Sequence, residues 1–191
     1  MTTRLIVGLG NKGQEYAKTR HNAGFILIDS FAAAEHISWQ EKPKFKAHIA
    51  EFTQGDDKII LVKPTTYMNL SGEAVRAIKD FYKIENQDIL VIHDELALPF
   101  GTIRTRVGGS DAGNNGIKSL IQHIGADFAR IRIGILDDEM PIMGATDFVL
   151  DRFDPEELKE LETGELQRTT RQLIDDFIAG TFEHTTHTLD A

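Results

Sequence analysis

Three short runs of branched aliphatic residues, Leu5-Ile6-Val7, Ile59-Ile60-Leu61-Val62 and Ile89-Leu90-Val91-Ile92, constrain the fold of this chain most. Runs this short with no polar position fit strands buried within a sheet. Helical patterns lie between them. Gly24 to His36 spaces Phe25, Ile28 and Phe31/Ala32 along one face, Leu70 to Tyr82 does the same with Val75, Ile78 and Tyr82, and Asn114 to Ile124 predicts a third helix. Phe45 to Phe52 and Ile59 to Val62 predict a strand pair turning at Gln54-Gly55-Asp56-Asp57. Thr102 to Val107 alternates as an exposed strand, and Ala129 to Ile135 alternates again. Asp154-Pro155-Glu156-Glu157 supplies a cap, a first-turn proline and an acid three residues on. An acidic helical segment is therefore expected from about 154 toward Ile178, broken near Gly164. Strands alternating with helices predict an α/β layered fold, and the hairpin-like pairs make its sheet mixed.

The length of 191 residues fits one domain, 1–191. Hydrophobic residues make 41% and charged residues 27%, which excludes a disordered or collagen-like chain. The absence of cysteine excludes disulfides, thiol catalysis, iron–sulfur clusters and cysteine zinc sites, and fits a reducing compartment. No apolar window of about 18 residues is present to span a membrane. Met1 to Gly10 is too short before its first glycine for a secretory leader and reads as a first strand, so the expectation is a cytoplasmic protein with no membrane partner. The net charge is −9, unevenly placed: residues 1–136 hold 17 Lys and Arg against 15 Asp and Glu, and residues 137–191 hold 4 against 15. Local field governs binding more than the total, so a basic surface on the first part remains open to nucleic acid.

Gly8-Leu9-Gly10-Asn11-Lys12-Gly13 follows the first strand and matches G-x-G-x-x-G. In a dinucleotide fold the helix opens at those glycines. Here the apolar helix face starts only near Gly24, so the glycines open a loop ending in Arg20-His21-Asn22 and read as a tight turn needing positive φ. Polar residues also collect at strand ends. Asn11 and His21 follow one strand, Lys63 to Asn69 another and His93-Asp94-Glu95 a third, while Asn114-Asn115 opens a helix. Ligands of open α/β sheets bind outside the carboxyl ends of strands, so the four segments outline one site. Each Asn or Asp taken alone also fits a turn or a cap.

Ser71 and Ser110 have no G-x-S-x-G setting, and the seven histidines contain no H-E-x-x-H. His184 and His187 lie in a polar tail where solvation is expected. One His, one Asp and several Asn suit a His base activating water, a carboxylate orienting the imidazole and amides binding a carbonyl or oxyanion. The expected chemistry is hydrolysis of an activated acyl bond without metal or cofactor. Arg104 and Arg106 share a strand face, as do Arg130 and Arg132, and residues 99–134 hold five basic side chains against two acidic. Paired guanidinium forks suit phosphates; a merely solvated face is the plainer alternative.

Together these segments resemble bacterial-type peptidyl-tRNA hydrolase over about residues 4–135. Val7-Gly8-Leu9-Gly10-Asn11, with Tyr16 and Thr19-Arg20-His21-Asn22-Ala23-Gly24, is similar to the family's opening block. Lys63-Pro64-Thr65-Thr66-Tyr67-Met68-Asn69-Leu70-Ser71-Gly72 is similar to its second. His93-Asp94-Glu95-Leu96, Leu98-Pro99, Gly101, Gly108-Gly109 and Asn115-Gly116 are similar to its third. The resemblance implies a monomeric, single-domain twisted mixed β-sheet flanked by helices. It implies cleavage of the ester between a peptide and the 3′-terminal ribose of tRNA, which rescues peptidyl-tRNA dropped during translation. Peptidyl-tRNA is the implied partner. His21 is implied as catalytic base, Asp94 as its partner, and Asn11, Asn69 and Asn115 as holding substrate and attacking water. Tyr16 and Tyr67 are implied at substrate-binding positions, and Arg106 and Arg132 at the acceptor-end phosphate.

The chain departs from the family pattern in places. Lys12 and Ala97 stand where the family usually has Pro and Asp, Asn114 where it has His, and Leu136-Asp137-Asp138-Glu139 where Gly and basic residues commonly follow Ile135. The alternatives are a non-catalytic RNA-binding relative of the same fold and a nucleotide-cofactor enzyme using the Gly8–Gly13 loop.

Overall fold

The aliphatic runs become the centre of one mixed sheet in the computed structural model, which describes residues 1–189. Its eight strands are β1 (Thr3–Gly8), β2 (Gln40–Lys42), β3 (Ala47–Gln54), β4 (Asp57–Pro64), β5 (Ile89–Pro99), β6 (Thr102–Val107), β7 (Ala129–Leu136) and β8 (Thr186–Thr188). They lie in the order β2-β3-β4-β1-β5-β7-β6-β8. β4, β1, β5 and β7 run parallel, and the outer strands pair antiparallel. The helices are α1 (Ala23–Ala34), α2 (Ser71–Tyr82), α3 (Asn115–Ile124), α4 (Met140–Met143), α5 (Ala145–Leu150), α6 (Pro155–Glu162) and α7 (Glu165–Ala179). Successive strand residues face opposite ways, so Ile6, Leu61 and Ile92 pack with α1, α6 and α7, while Leu5, Val62 and Val91 pack with α2 and α3. That two-sided cover is why the central runs carry no polar position. No helix among the described residues is long and apolar enough to cross a membrane.

The Asp154 cap forms as expected: its Oδ1 accepts from Glu157 N at 2.8 Å, and Glu157 Oε1 accepts from Asp154 N at 3.1 Å. The break expected near Gly164 separates α6 from α7.

Several expectations are corrected. β5 runs on from Ile92 to Pro99, so Asp94 lies within the strand rather than after it. β7 alternates as expected, with Ile131, Ile133 and Ile135 on the core face and Arg130 and Arg132 on the other, but the strand is interior, between β5 and β6, and Arg130 is only 2% exposed. That guanidinium donates to the carbonyls of Ser110, Gly109 and Ala126, so Arg130 braces a loop and does not pair with Arg132 on an open face. His184 in the polar tail is exposed, as expected, but the tail is also docked: β8 adds to the edge of β6, and His184 Nε2 accepts from Val107 N at 3.0 Å.

The glycine loop is also corrected. Of its glycines only Gly13 has a positive φ, 109°. Gly8 is needed for close packing: a Cβ there would sit 2.6 Å from the Gly24 carbonyl oxygen, and a Cβ at Gly24 would sit 2.3 Å from that of Ile92. The first turn of α1 therefore rests directly on the backbones of β1 and β5. Overpacking usually costs about 1–3 kcal/mol, and here the obstacle is backbone. Gly24→Ala should lower stability by at least roughly that amount in urea unfolding; an unchanged midpoint would contradict the contact.

Candidate active site

The loops that follow the parallel strands β1 and β4 meet the later residues of β5 and the start of α3. The β1 loop closes through a 3-10 turn, Arg20–Asn22, that runs into α1 and carries His21. His21 Nδ1 lies 2.8 Å from Asp94 Oδ2, and both side chains are buried. A carboxylate only accepts, so Nδ1 holds the proton and Nε2 is the basic nitrogen. Burial pulls the imidazole pKa down, but the charge and hydrogen bond of Asp94 outweigh it, so the net shift is above the ordinary 6.5.

The other Asp94 oxygen, Oδ1, accepts from Asn114 Nδ2 at 3.0 Å. Asn114 is the cap of α3, and its own Oδ1 accepts from Ile117 N at 3.1 Å, which fixes the amide so that nitrogen faces the carboxylate. Asn11 is oriented the same way. Its Oδ1 accepts from Met68 N at 2.7 Å, leaving Nδ2 as a donor at the cavity that His21 also lines. Its backbone is held by Asn22, whose Oδ1 accepts from Asn11 N at 2.9 Å and whose Nδ2 donates to Asn11 O at 3.0 Å.

A cavity of about 480 Å³ opens here. Asn11, His21, Asn69, Asp94, Asn114 and Asn115 line its polar side, and Leu96, Ala145, Val149 and Leu150 supply an apolar wall. Glu95 also lines it; burial pushes its carboxyl up while Arg132, 3.5 Å away, pulls it down. His93 is no substitute base. Its Nδ1 donates to the Asp94 carbonyl, and burial pulls its pKa down to about 4. Among the described residues no group of three or more His, Asp or Glu side chains is placed to hold a metal ion.

The apolar wall is anchored to the residue next to His21. Arg20 is buried, with Nη2 2.8 Å from Asp137, Nη1 3.3 Å from Asp151 and Nη2 3.8 Å from Glu157. Its guanidinium stacks 4.2 Å from the centroid of Phe148 on α5. Thr19 also bridges to Arg152 through the backbone.

The family described as Peptidyl-tRNA hydrolase matches residues 5–190. This chain belongs to the peptidyl-tRNA hydrolase family. It is 52% identical to the peptidyl-tRNA hydrolase of Gloeobacter violaceus over 162 residues, 84% of this chain and 81% of that one. It is 44% identical to that of Chlorobaculum parvum over 182 residues, 95% of this chain and 94% of that one. The solved peptidyl-tRNA hydrolase of Acinetobacter baumannii superimposes with a TM-score of 0.83 at 36% identity, covering 93% of this chain and 89% of that one.

Of the residues singled out from sequence, the fold of this peptidyl-tRNA hydrolase relative brings Asn11, His21, Asn69, Asp94 and Asn115 to one cavity. Tyr16 and Tyr67 are outside its lining; they pack edge to face at 6.4 Å, with Lys12 Nζ 5.4 Å from the Tyr67 centroid. Arg106 and Arg132 line a separate cleft, joined to the cavity through Glu95. Sequence reasoning missed the Asn22 clamp, the hold of Asn114 on Asp94 and the Arg20 anchor. Asn22 and Arg20 stand in the same motif as His21, so their place was visible while their partners were not.

Replacing Asp137 and Asp151 together by Asn should free α5. Exposed pairs contribute below about 1 kcal/mol and buried ones several times more, so an intermediate loss is expected here. Amide exchange at Phe148 and Val149 should accelerate by about tenfold, equivalent to about 1.4 kcal/mol. Unchanged exchange would show that packing alone holds the segment.

Proposed function

We propose that this chain hydrolyses the ester between a peptide and the 3′-terminal ribose of tRNA, with His21 as general base. The observation that carries the reading is the orientation of His21: Asp94 holds Nδ1–H, and Nε2 is left for the cavity that Asn11 Nδ2 also serves. Asn69 and Asn115 position the attacking water and the substrate. Nε2 takes a proton from the water as its oxygen bonds to the ester carbon. The carbonyl oxygen becomes an oxyanion that accepts from Asn11 Nδ2. Collapse breaks the bond to the 3′ oxygen, which leaves with the proton from Nε2. The products are free tRNA and a peptide acid, and His21 is neutral again.

The apolar wall receives the side chain of the peptide's last residue. Tyr16 and Tyr67 offer aromatic faces to unpaired bases of the acceptor end, and Arg106 and Arg132 take its phosphate. Peptidyl-tRNA is a by-product of translation, so the chain acts in the cytoplasm, as a single domain and a monomer. The mechanism asks for neither metal nor cofactor. A non-catalytic RNA-binding role would leave the held base and the oriented Asn11 donor without a use.

Hydrolysis of N-blocked aminoacyl-tRNA across pH tests this. The base must be neutral, so kcat/KM should rise with pH through a limb above 6.5, the direction in which Asp94 shifts His21. Asp94→Asn removes the raising contributions and leaves desolvation, so the limb should move below that of the wild type. His21→Ala should lose roughly 10²- to 10⁴-fold in turnover. Retention of more than a tenth of the activity by His21→Ala would overturn the assignment.

A further inference from the structure

The paired strands β6 and β7 place arginines directly opposite one another, Arg104 against Arg132 and Arg106 against Arg130. Like charges in such cross-strand positions destabilise a sheet. Among the described residues, Arg132 is the one of these four with a carboxylate partner, Glu95, at 3.5 Å. The crowding is felt at Arg130, where burial and then the charges of Arg106 and Arg132 pull the guanidinium down to about 10. Such an accumulation favours a bound anion.

A cleft of about 460 Å³ lies over this cluster. Arg104, Arg106 and Arg132 form its floor, and His184, Thr185 and Thr186 of the tail form its wall; among the described residues no carboxylate lines it. The tail is fastened there. Thr105 N donates to Thr185 O at 2.9 Å, Thr185 N donates to Thr105 Oγ1 at 2.7 Å, and Arg104 Nε donates to Thr186 Oγ1 at 3.2 Å. Because His184 Nε2 accepts from Val107 N, its ring proton sits on Nδ1 as a donor.

We propose that Arg104 and the tail residues His184 and Thr186 form a second phosphate seat adjoining Arg106 and Arg132, which takes a further phosphodiester of the tRNA backbone. Arg104 supplies the charge. His184 Nδ1–H and the Thr186 hydroxyl supply neutral donors. The tail thus serves twice, covering the open edge of β6 and walling the cleft. The proposal rests on the reading of tRNA as substrate and extends it beyond the Arg106 and Arg132 pair.

The test is binding of deacylated tRNA over a salt series. Each phosphate contact contributes a slope of about 0.7–0.9 in log affinity against log salt. Arg104→Ala should weaken binding several-fold and lower the slope by about that amount. Arg104→Lys should restore the slope, which a misfolded edge would not do. His184→Ala combined with Thr186→Val should weaken binding two- to five-fold with the slope kept, because the lost donors are neutral. Lys79→Ala, on α2, is the control for any surface cation. Weakening by Arg106→Ala with Arg104→Ala and the tail variant at wild-type affinity would overturn the second seat and leave the tRNA reading standing. Wild-type affinity and slope in Arg104→Ala and Arg106→Ala alike would overturn both.

Discussion

The first turn of α1 rests on the backbones of β1 and β5 with no side chain between them, and the site depends on that contact. Gly8 and Gly24 make it possible, since a Cβ at either would overlap a carbonyl oxygen. With α1 seated so closely, the Arg20–Asn22 turn lies over β5, where His21 reaches Asp94. The same turn sends Asn22 back to clamp Asn11 and Arg20 outward to anchor α5. Three consecutive side chains thus set the Asn11 amide, the imidazole and the cavity wall.

The electrostatics separate two neighbouring carboxylates into different tasks. Asp94 receives Nδ1–H of His21 on one oxygen and the amide of Asn114 on the other, so its charge is directed at the imidazole. Glu95 faces Arg132 instead and links the cavity to the arginine cleft. A helix cap sets Asn114, and a backbone N–H sets Asn11. Fixing both amides through the backbone pre-orients them, as the proposed reaction requires when charge develops on the substrate.

The central strands and α1 to α3 are legible in the sequence because burial on both faces demands uninterrupted aliphatic runs, and half-buried helices leave a periodic face. The gathering of Asn11, His21 and Asn69 is legible for a topological reason, since the parallel strands β1 and β4 deliver their following loops to one edge, whereas Asp94 lies inside β5 and Asn115 follows the antiparallel β6. Other features depend on partners distant in the chain. Arg130 and Arg132 have the same spacing as Arg104 and Arg106, yet β7 is interior and buries Arg130. The α4–α5 segment is short and has no strong period, and Arg20 holds it through carboxylates more than a hundred residues away. The docking of the exposed tail was not legible because β8 has only three residues, all polar, and its place is set by the unpaired edge of β6.

The central claim is that Asp94 sets both the tautomer and the basicity of His21. It is tested most directly by following the ring nitrogens of His21 by nuclear magnetic resonance through a pH titration of the free enzyme. The account predicts a neutral form protonated on Nδ1 and a midpoint above the ordinary 6.5. A neutral form protonated on Nε2, or a midpoint below that value, would contradict it.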